Sequence, residues 1–435
     1  MFAHRQEPDG HEANGRMMEP LGNGQTVAVI GGGPGGMACA MALRREAARA
    51  GRDIEVLLFE TKRFGVDHNQ CAGVLSPPLC DILRDEFEIA LPKALIQREI
   101  LGYVIHDEHE KVALDGEEHG GSSLAVRRAE FDAYLAQCAQ ERGVSVIHTR
   151  VTDFEFHSDG VLIFTWRGTY HADAIVGAFG ISHAISAALA RQTAYRPPPL
   201  LDAVITKIHP PWPMPGPISD LLENYIHVIL PPLQRVEFGA VIPKGDHITV
   251  IAAGHGVGTT DMKALLALPA IRRLLPDDAQ PEGYYKGHFP VGLAKGMVGD
   301  RYVTIGDAAG LVRPFKGKGI NSAIITGVLA ARTLLEQGIS AEALETFRHG
   351  CRDITGDILY GTFMRRLAWF TSHHLSVAPI LRHAAGDPTL RELLFDCVSG
   401  REMFRHIVLR KGNLSLAMKL GLAAVVERVK HGSPR

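Results

Sequence analysis

The chain has 435 residues, which is enough for two domains and a sizeable hydrophobic core. Its 46 lysine and arginine residues nearly balance 48 aspartate and glutamate residues, so no global nucleic-acid-binding surface is indicated. The six cysteines form no C-x-x-C pair, which predicts a reducing, cytoplasmic location and no zinc or iron–sulfur site.

Residues 1–25 are polar and rich in turn-forming residues, and they lack the apolar run of a signal peptide, so a disordered tail is predicted. The sequence VAVIGGGPGG at 27–36 then predicts a buried strand, a glycine-rich turn and a following helix. Its glycines fall at the G-x-G-x-x-G spacing. The contacts with a dinucleotide expected from this turn are made by Gly31, Gly33, Pro34, Gly35 and Gly36.

Each glycine of this motif has a physical role in holding a dinucleotide. Glycine permits the tight turn, lets a pyrophosphate approach the bare backbone, and allows the helix to pack closely on the strand. The pyrophosphate then lies at the positive end of the helix. Glu60 ends the next predicted strand, IEVLLFE, where a carboxylate can bind both ribose hydroxyls of an adenosine.

In the middle of the chain, several predicted strands precede and follow one predicted helix. An irregular segment follows Glu60, and strands are then predicted at 100–106, 122–126 and 144–148, with a helix at 129–142 and a small meander from 151. Between about 200 and 255 the pattern alternates as in antiparallel strands. We interpret that part as an inserted sheet that forms the wall of a substrate cavity.

The sequence RYVTIGDAAGLVRPFKGKGIN at 301–321 predicts a second buried strand, a bare loop and a long helix. The aspartate after this strand can hydrogen-bond a ribityl hydroxyl, and the start of the helix can place N–H groups beside a flavin pyrimidine. The cofactor contacts expected here are Gly306, Asp307, Pro314, Gly317, Gly319, Ile320 and Asn321.

The order of these elements predicts an α/β fold. It consists of a Rossmann-like FAD-binding domain, an inserted antiparallel β-sheet substrate domain and a C-terminal helical region. The expected boundaries are 26–198 and 284–343 for the two parts of the FAD-binding domain, 199–283 for the inserted sheet, and 344–435 for the helical region.

The helical region contains several aromatic and basic residues near 363–370 and an apolar segment at 414–429. No part of the sequence reaches the roughly 20 consecutive apolar residues of a membrane-spanning helix. The segment 414–429 fits a helix packed on its own domain, and it also fits one lying on a membrane surface. Peripheral membrane contact therefore stays open at this stage.

Three motifs resemble those of flavoproteins with the p-hydroxybenzoate hydroxylase fold: GGGPGG, RRAEFDAYL at 127–135, and GDAAGLVRPFKGKGIN. Within that group the chain is most similar to the geranylgeranyl reductase family. The pieces that carry this closer likeness are QCAG at 70–73, IPKGD at 242–246 and GHFPVG at 287–292. The resemblance covers roughly residues 26–335.

The resemblance implies FAD as cofactor, bound by the glycines of the first motif together with Glu60, Arg128 and Asp307. It also implies reduction of C=C bonds in a long isoprenoid or similar apolar or lipid substrate, with electrons from a donor that the sequence does not identify. In this reading Cys71 lies near the flavin, where its thiol can give a proton to the substrate. The alternative for Cys71 is a small buried residue in a tight loop.

The sequence departs from the related hydroxylases at Phe179-Gly180, where they have an Asp-Gly pair. This departure argues against a typical NADPH-using monooxygenase. Two alternatives stay open: an FAD-dependent monooxygenase or halogenase acting on an aromatic or lipid substrate, and a redox-neutral flavoprotein that binds or cyclises a prenyl lipid.

Overall fold

The computed structural model describes residues 20–67, 71–116, 122–209, 222–276, 279–313, 315 and 319–411. Most of the predicted tail, the predicted site residues Pro314 and Gly317, and the apolar segment 414–429 lie outside these ranges. Leu21, within the predicted tail, is fully buried, and its N–H donates a hydrogen bond to the carbonyl of Leu334.

The predicted α/β class is confirmed, with parallel and antiparallel sheets combined with helices. The strands are β1 Thr26–Ile30, β2 Glu55–Glu60, β3 Val74–Leu75, β4 Ile96–Ile100, β5 Gly102–His106, β6 Lys111–Asp115, β7 Ser123–Val126, β8 Ser145–His148, β9 Val151–Phe156, β10 Val161–Thr165, β11 Gly168–Ala172, β12 Ala174–Gly177, β13 Leu200–His209, β14 Tyr225–Ile229, β15 Phe238–Pro243, β16 Ile248–Gly254, β17 Gln280–Pro281, β18 Tyr285–Pro290, β19 Val298–Gly299 and β20 Tyr302–Thr304. The helices are α1 Pro34–Arg49, α2 Leu79–Phe87, α3 Arg128–Glu141, α4 His183–Gln192, α5 Thr259–Ala267, α6 Pro269–Arg272, α7 Gly306–Ala309, α8 Ile320–Glu336, α9 Ala341–Gly350, α10 Arg352–His374, α11 Ala378–Ala384, α12 Pro388–Ser399 and α13 Phe404–His406.

A six-stranded sheet with the order β19-β20-β12-β1-β2-β8 carries the first glycine motif. Its strands are parallel except for the edge strand β19. Residues 27–30 are buried on both faces, as expected for a parallel sheet that helices cover on each side. In the register, Ile30 lies beside Gly177 and Gly177 beside Thr304, so the turns that follow β1, β12 and β20 meet at one edge.

An eight-stranded sheet contains the strands predicted between 200 and 255, which are β13 to β16. Strands β5 and β6 also belong to it, because β5 pairs in parallel with β14 and antiparallel with β6. The predicted domain boundaries place residues 102–115 in the first part of the FAD-binding domain. Every residue of β5 is buried. The sequence of such a strand predicts that it is a strand, but it does not indicate which sheet the strand joins.

Two smaller sheets complete the strand pairing of the described residues. Strands β9, β10 and β11 form the predicted meander. Strands β3, β7 and β4 form the other sheet, in which Val74 pairs with Ala125. This pairing holds the segment that carries Cys71 next to the start of α3, the helix predicted at 129–142.

Helices α1 and α8 pack against each other through residues without bulky side chains. A Cβ atom at Gly35 would lie 2.9 Å from the carbonyl oxygen of Ala323, and one at Gly327 would collide with the carbonyl oxygen of Gly35. From Ala341 onward the described chain is helical, as predicted. Within the described residues, no helix is long and apolar enough to cross a membrane.

Candidate functional site

The glycine-rich turn after β1 has the conformation and the close contacts that require glycine. Gly31 has φ +112°, and a Cβ atom there would collide with the carbonyl oxygen of Ala178. A Cβ atom at Gly36 would collide with the carbonyl oxygen of Gly31. At Gly33, in contrast, a Cβ atom would meet nothing within 4 Å, so the backbone there is open to a ligand.

Pro34 is the first residue of α1, whose early N–H groups have no partner within the helix. Glu60 lies beside this turn at the end of β2. Its Oε2 accepts a hydrogen bond from the N–H of Gly32 at 2.8 Å, and its Oε1 accepts from the N–H groups of Thr61 and Lys62. These bonds fix a carboxylate beside the bare backbone, where the sequence analysis expected a ribose.

The return segment brings a second carboxylate to the same edge. Gly306 has φ +55° and donates its N–H to the hydroxyl of Thr326 at 3.2 Å. Burial raises the pKa of Asp307, and Arg128 acts against this increase. No described residue donates a hydrogen bond to the Asp307 carboxylate. A Cβ atom at Gly319 would lie 2.9 Å from its Oδ1, so glycine leaves this carboxylate open.

The start of α8 is attached to the loop that follows Cys71. Asn321 donates from Nδ2 to the carbonyl oxygens of Ser76 and Pro77, at 3.1 and 3.3 Å. Ile320 packs against the core that surrounds α1. Both residues therefore position the helix start, and the contacts that the sequence analysis predicted for them with a cofactor stay predictions.

Cys71 and Arg128 lie in direct contact. Arg128 Nη1 donates to Cys71 Sγ at 3.3 Å, and the N–H of Gly73 donates to the same sulfur at 3.4 Å. The remaining face of the guanidinium binds Asp132, with Nη2 2.9 Å from Oδ1. Burial alone would lower the pKa of Arg128, but Asp132 and Cys71 outweigh it and raise that pKa.

The family resemblance implies that Arg128 binds FAD, and in the structure Arg128 lies between a thiol and a carboxylate. Arg128 also opposes the increase in the pKa of Asp307, so the two side chains lie within electrostatic range of each other. The cation that contacts Cys71 therefore acts on the carboxylate after β20 as well.

Lys244 joins this cluster and was not among the predicted site residues. It lies directly after β15 in the IPKGD motif and is only 3% exposed. Its Nζ donates to the carbonyl oxygens of Gly73 and Val126 at 2.7 and 3.1 Å. The IPKGD motif contributes to the family resemblance. A lysine before glycine and aspartate is also typical of an exposed turn, so the burial of Lys244 could not be predicted from the sequence.

The arrangement suits a flavin dinucleotide. A backbone open at Gly33 and an uncapped helix start can receive a pyrophosphate, Glu60 can bind a ribose, and Asp307 offers an open carboxylate to a polyol. Beside them, a thiol contacts a buried cation. Among the described residues, no group of three or more histidine, cysteine, aspartate or glutamate side chains could hold a metal ion.

Comparisons with known proteins agree with this geometry, although no protein-family model matches the sequence. The chain is 26% identical over 317 residues to digeranylgeranylglycerophospholipid reductase 2 of Methanosphaera stadtmanae, covering 70% of this chain and 76% of the relative. It is 27% identical over 384 residues to geranylgeranyl diphosphate reductase of Synechocystis sp., covering 78% and 85%. The resemblance predicted from the motifs is confirmed.

Solved structures show the same fold. A geranylgeranyl bacteriochlorophyll reductase-like protein from Thermoplasma acidophilum superposes with a TM-score of 0.65 at 20% identity, covering 93% of this chain and 99% of its own. A flavin-dependent brominase superposes with a TM-score of 0.67 at 17% identity, covering 91% and 98%. At these identities the likeness establishes the fold, which reductases and halogenases share.

Proposed function

We propose that this chain is an FAD-dependent reductase that saturates C=C bonds of a long isoprenoid or similar apolar substrate. The proposal rests on the contact between Cys71 and Arg128. This contact lies beside the edge of the six-stranded sheet that suits a dinucleotide. This arrangement offers a proton source next to a flavin site. The sequence likeness to prenyl reductases over 70% and more of the chain supports the substrate class.

The residues that would hold FAD belong to three strand ends. The backbone around Gly33 and the start of α1 would receive the pyrophosphate, Glu60 the adenosine ribose, and Asp307 a ribityl hydroxyl. When bound and reduced, FAD would supply the hydride that saturation of a C=C bond requires. An isolated alkene accepts hydride poorly, so the walls of the site must align it and exclude water.

Cys71 would supply the proton that the second alkene carbon needs. The S–H bond breaks as the C–H bond forms, and the sulfur is left as a thiolate. Arg128 Nη1 at 3.3 Å and the Gly73 N–H at 3.4 Å both point at this sulfur and stabilise its negative charge. Asp132 holds the guanidinium in the orientation that leaves Nη1 free for the sulfur.

Phe179 supports a reductase over a hydroxylase. The ring lies in an apolar cluster, edge-on to Tyr195 with 6.0 Å between ring centroids. Tyr195 in turn donates its hydroxyl to the carbonyl oxygen of Ala308, next to Asp307. The position that carries a carboxylate in related hydroxylases is therefore a packing position here.

The test of this proposal is anaerobic. The flavoprotein is reduced with dithionite, a geranylgeranyl lipid is added, and the oxidised flavin band is followed together with product mass. We expect reoxidation with a gain of two hydrogens per double bond. Cys71→Ala should slow this step about 10²- to 10⁴-fold, the usual contribution of a general acid, with flavin content unchanged. The exposed Cys80 provides the matched control Cys80→Ala. A flavin that stays reduced until air enters would contradict the proposal.

We also propose that the protein meets its lipid substrate at a membrane surface through one face of α10. Leu359, Phe363 and Leu367 recur at every fourth position, which places them on one face, and their exposed fractions are 74%, 55% and 45%. Arg366 and Phe370 are exposed beside them. An apolar helix face with a cation fits the surface of an anionic bilayer.

Binding to vesicles tests this second proposal. Phe363→Asp should reduce cosedimentation with vesicles that contain anionic lipid. Trp166→Asp is the matched control, because Trp166 is also exposed but lies at the turn between β10 and β11. Equal binding of the two variants and the unmodified protein would contradict a role for α10.

A further inference from the structure

Lys244 connects the segments that carry Cys71 and Arg128. Gly73 accepts a hydrogen bond from Lys244 Nζ at 2.7 Å through its carbonyl oxygen, and it donates its N–H to Cys71 Sγ at 3.4 Å. Val126, two residues before Arg128, provides the second carbonyl oxygen for Nζ, at 3.1 Å. One residue, Gly73, therefore contacts both the amine and the thiol.

The conformation of Gly73 makes this contact possible. Its φ is +63°, and a Cβ atom there would collide with the Val126 carbonyl oxygen and lie 2.8 Å from Lys244 Nζ. Lys244 is itself fixed, since its N–H donates to the carbonyl oxygen of His247 at 2.9 Å and its own carbonyl oxygen accepts from Arg98 Nε at 2.7 Å. The amine is thus held beside the Cys71 turn from both sides.

The charges around Lys244 make its proton labile. The titratable groups that act on it are Cys71, Arg128, Lys207 and His247, and no carboxylate of the described residues lies within ion-pair distance of Nζ. Burial lowers the pKa of Lys244 to about 7, Arg128 and Lys207 act in the same direction, and Cys71 opposes them. Near neutral pH this amine can both hold and release a proton.

We propose that Lys244 is a positioning residue that acts through Cys71, holding its turn and returning a proton to its sulfur. This inference rests on the proposed function, in which the thiol gives its proton to the substrate. The thiolate takes one proton from the Lys244 ammonium, so that an N–H bond breaks and the S–H bond forms again. The neutral amine then takes a proton from water. Electrons are transferred only in the hydride step.

Alkylation of Cys71 tests the coupling without substrate or turnover. The purified oxidised flavoprotein is treated with iodoacetamide at pH 5.5 to 10, and modification of the Cys71 peptide is quantified by mass spectrometry. Because the thiolate is the reactive form, the rate profile reports its protonation. We expect the unmodified protein to show an inflection near pH 7, where Lys244 loses its proton, and we expect this inflection to be absent in Lys244→Met, which has no titratable group at this position.

Two internal controls accompany the assay. Cys80 is exposed, so its profile should be the same in every variant. Lys263→Met removes an exposed lysine from α5 and should leave the Cys71 profile unchanged. A purely structural role of Lys244 would change only the limiting rate at high pH, so an inflection near pH 7 that is absent from the unmodified protein, or that persists in Lys244→Met, would overturn the inference.

If Lys244→Met does not fold, Lys244→Arg still decides the question. The unmodified profile should contain an inflection near pH 7 from Lys244, and the arginine variant should lose it because guanidinium keeps its proton. An inflection that persists in Lys244→Arg would overturn the inference. Failure of the proposed function would appear only in the substrate assay and would leave these alkylation profiles as expected.

Discussion

Gly33→Ala should separate cofactor binding from folding. Gly33 has φ −73° and ψ 179°, an extended conformation that any residue adopts, and an added Cβ atom would meet nothing within 4 Å. Replacing glycine by alanine at such a site stabilises the folded protein by about 0.4–1 kcal/mol, because it lowers the conformational entropy of the unfolded chain. Alanine is the poorer helix cap by a similar amount, so we expect the unfolding free energy of the FAD-free protein to change by less than about 1 kcal/mol.

The same methyl group would occupy the face that a pyrophosphate must approach. We expect FAD affinity to fall at least tenfold, which corresponds to about 1.4 kcal/mol. Titration of the FAD-free protein, followed by flavin fluorescence, measures the Kd, and urea unfolding measures the stability. Gly386→Ala is the matched control, because a Cβ atom there also meets nothing within 4 Å. Equal Kd values for the two variants would refute the placement of the phosphates at Gly33.

Three further changes test the packing around the site, each by urea unfolding. Gly327→Ala forces α1 and α8 apart and should cost about 1–3 kcal/mol, whereas a null result would mean that the helices separate freely. Arg365→Met leaves the largely buried Glu237 carboxylate with only the exposed His255, 3.6 Å away, and should cost up to about 3 kcal/mol, most of it recovered when Glu237→Leu is added. Burial lowers the pKa of His106 to about 3 and that of His227 to about 4, so both are neutral in the folded protein. The unfolded chain binds their protons below about pH 6.5, and stability therefore falls as the pH decreases from 6.5 towards 4. His106→Leu should reduce this slope by about 1.4 kcal/mol per pH unit, and an unchanged slope would contradict the assignment.

Local sequence patterns predicted the elements around the glycine-rich turn. The strand before Gly31 and the strand ending at Glu60 lie where their periodicity indicated, and the helix after the turn begins at Pro34, within the glycine motif itself. The helix predicted at 129–142 is α3, shifted by one residue at each end. These features were readable because a dinucleotide is held largely by backbone atoms, and backbone geometry imposes glycine at fixed spacing.

The cluster of Cys71, Arg128 and Lys244 could be predicted only in part from the sequence. Cys71 and Arg128 were each selected on family resemblance, but their contact spans 57 positions and depends on how β3 pairs with β7. Lys244 is farther still, with 171 positions between it and Gly73. Pairing of distant strands is a long-range property, and no periodicity within one strand encodes its partner. The same reason explains why the sequence did not indicate that β5 pairs with β14.

The charge balance of this cluster connects its structure with its chemistry. Asp132 neutralises Arg128 through the ion pair at 2.9 Å, so this pair has no net charge to change near neutral pH. Lys244 has no such carboxylate among the described residues, and burial lowers its pKa to about 7. Lys244 is therefore the cation of this cluster whose charge changes near neutral pH. In the proposed reaction this amine can return the proton that the thiol gives to the substrate, whereas a guanidinium that keeps its proton can stabilise the thiolate but cannot reprotonate it.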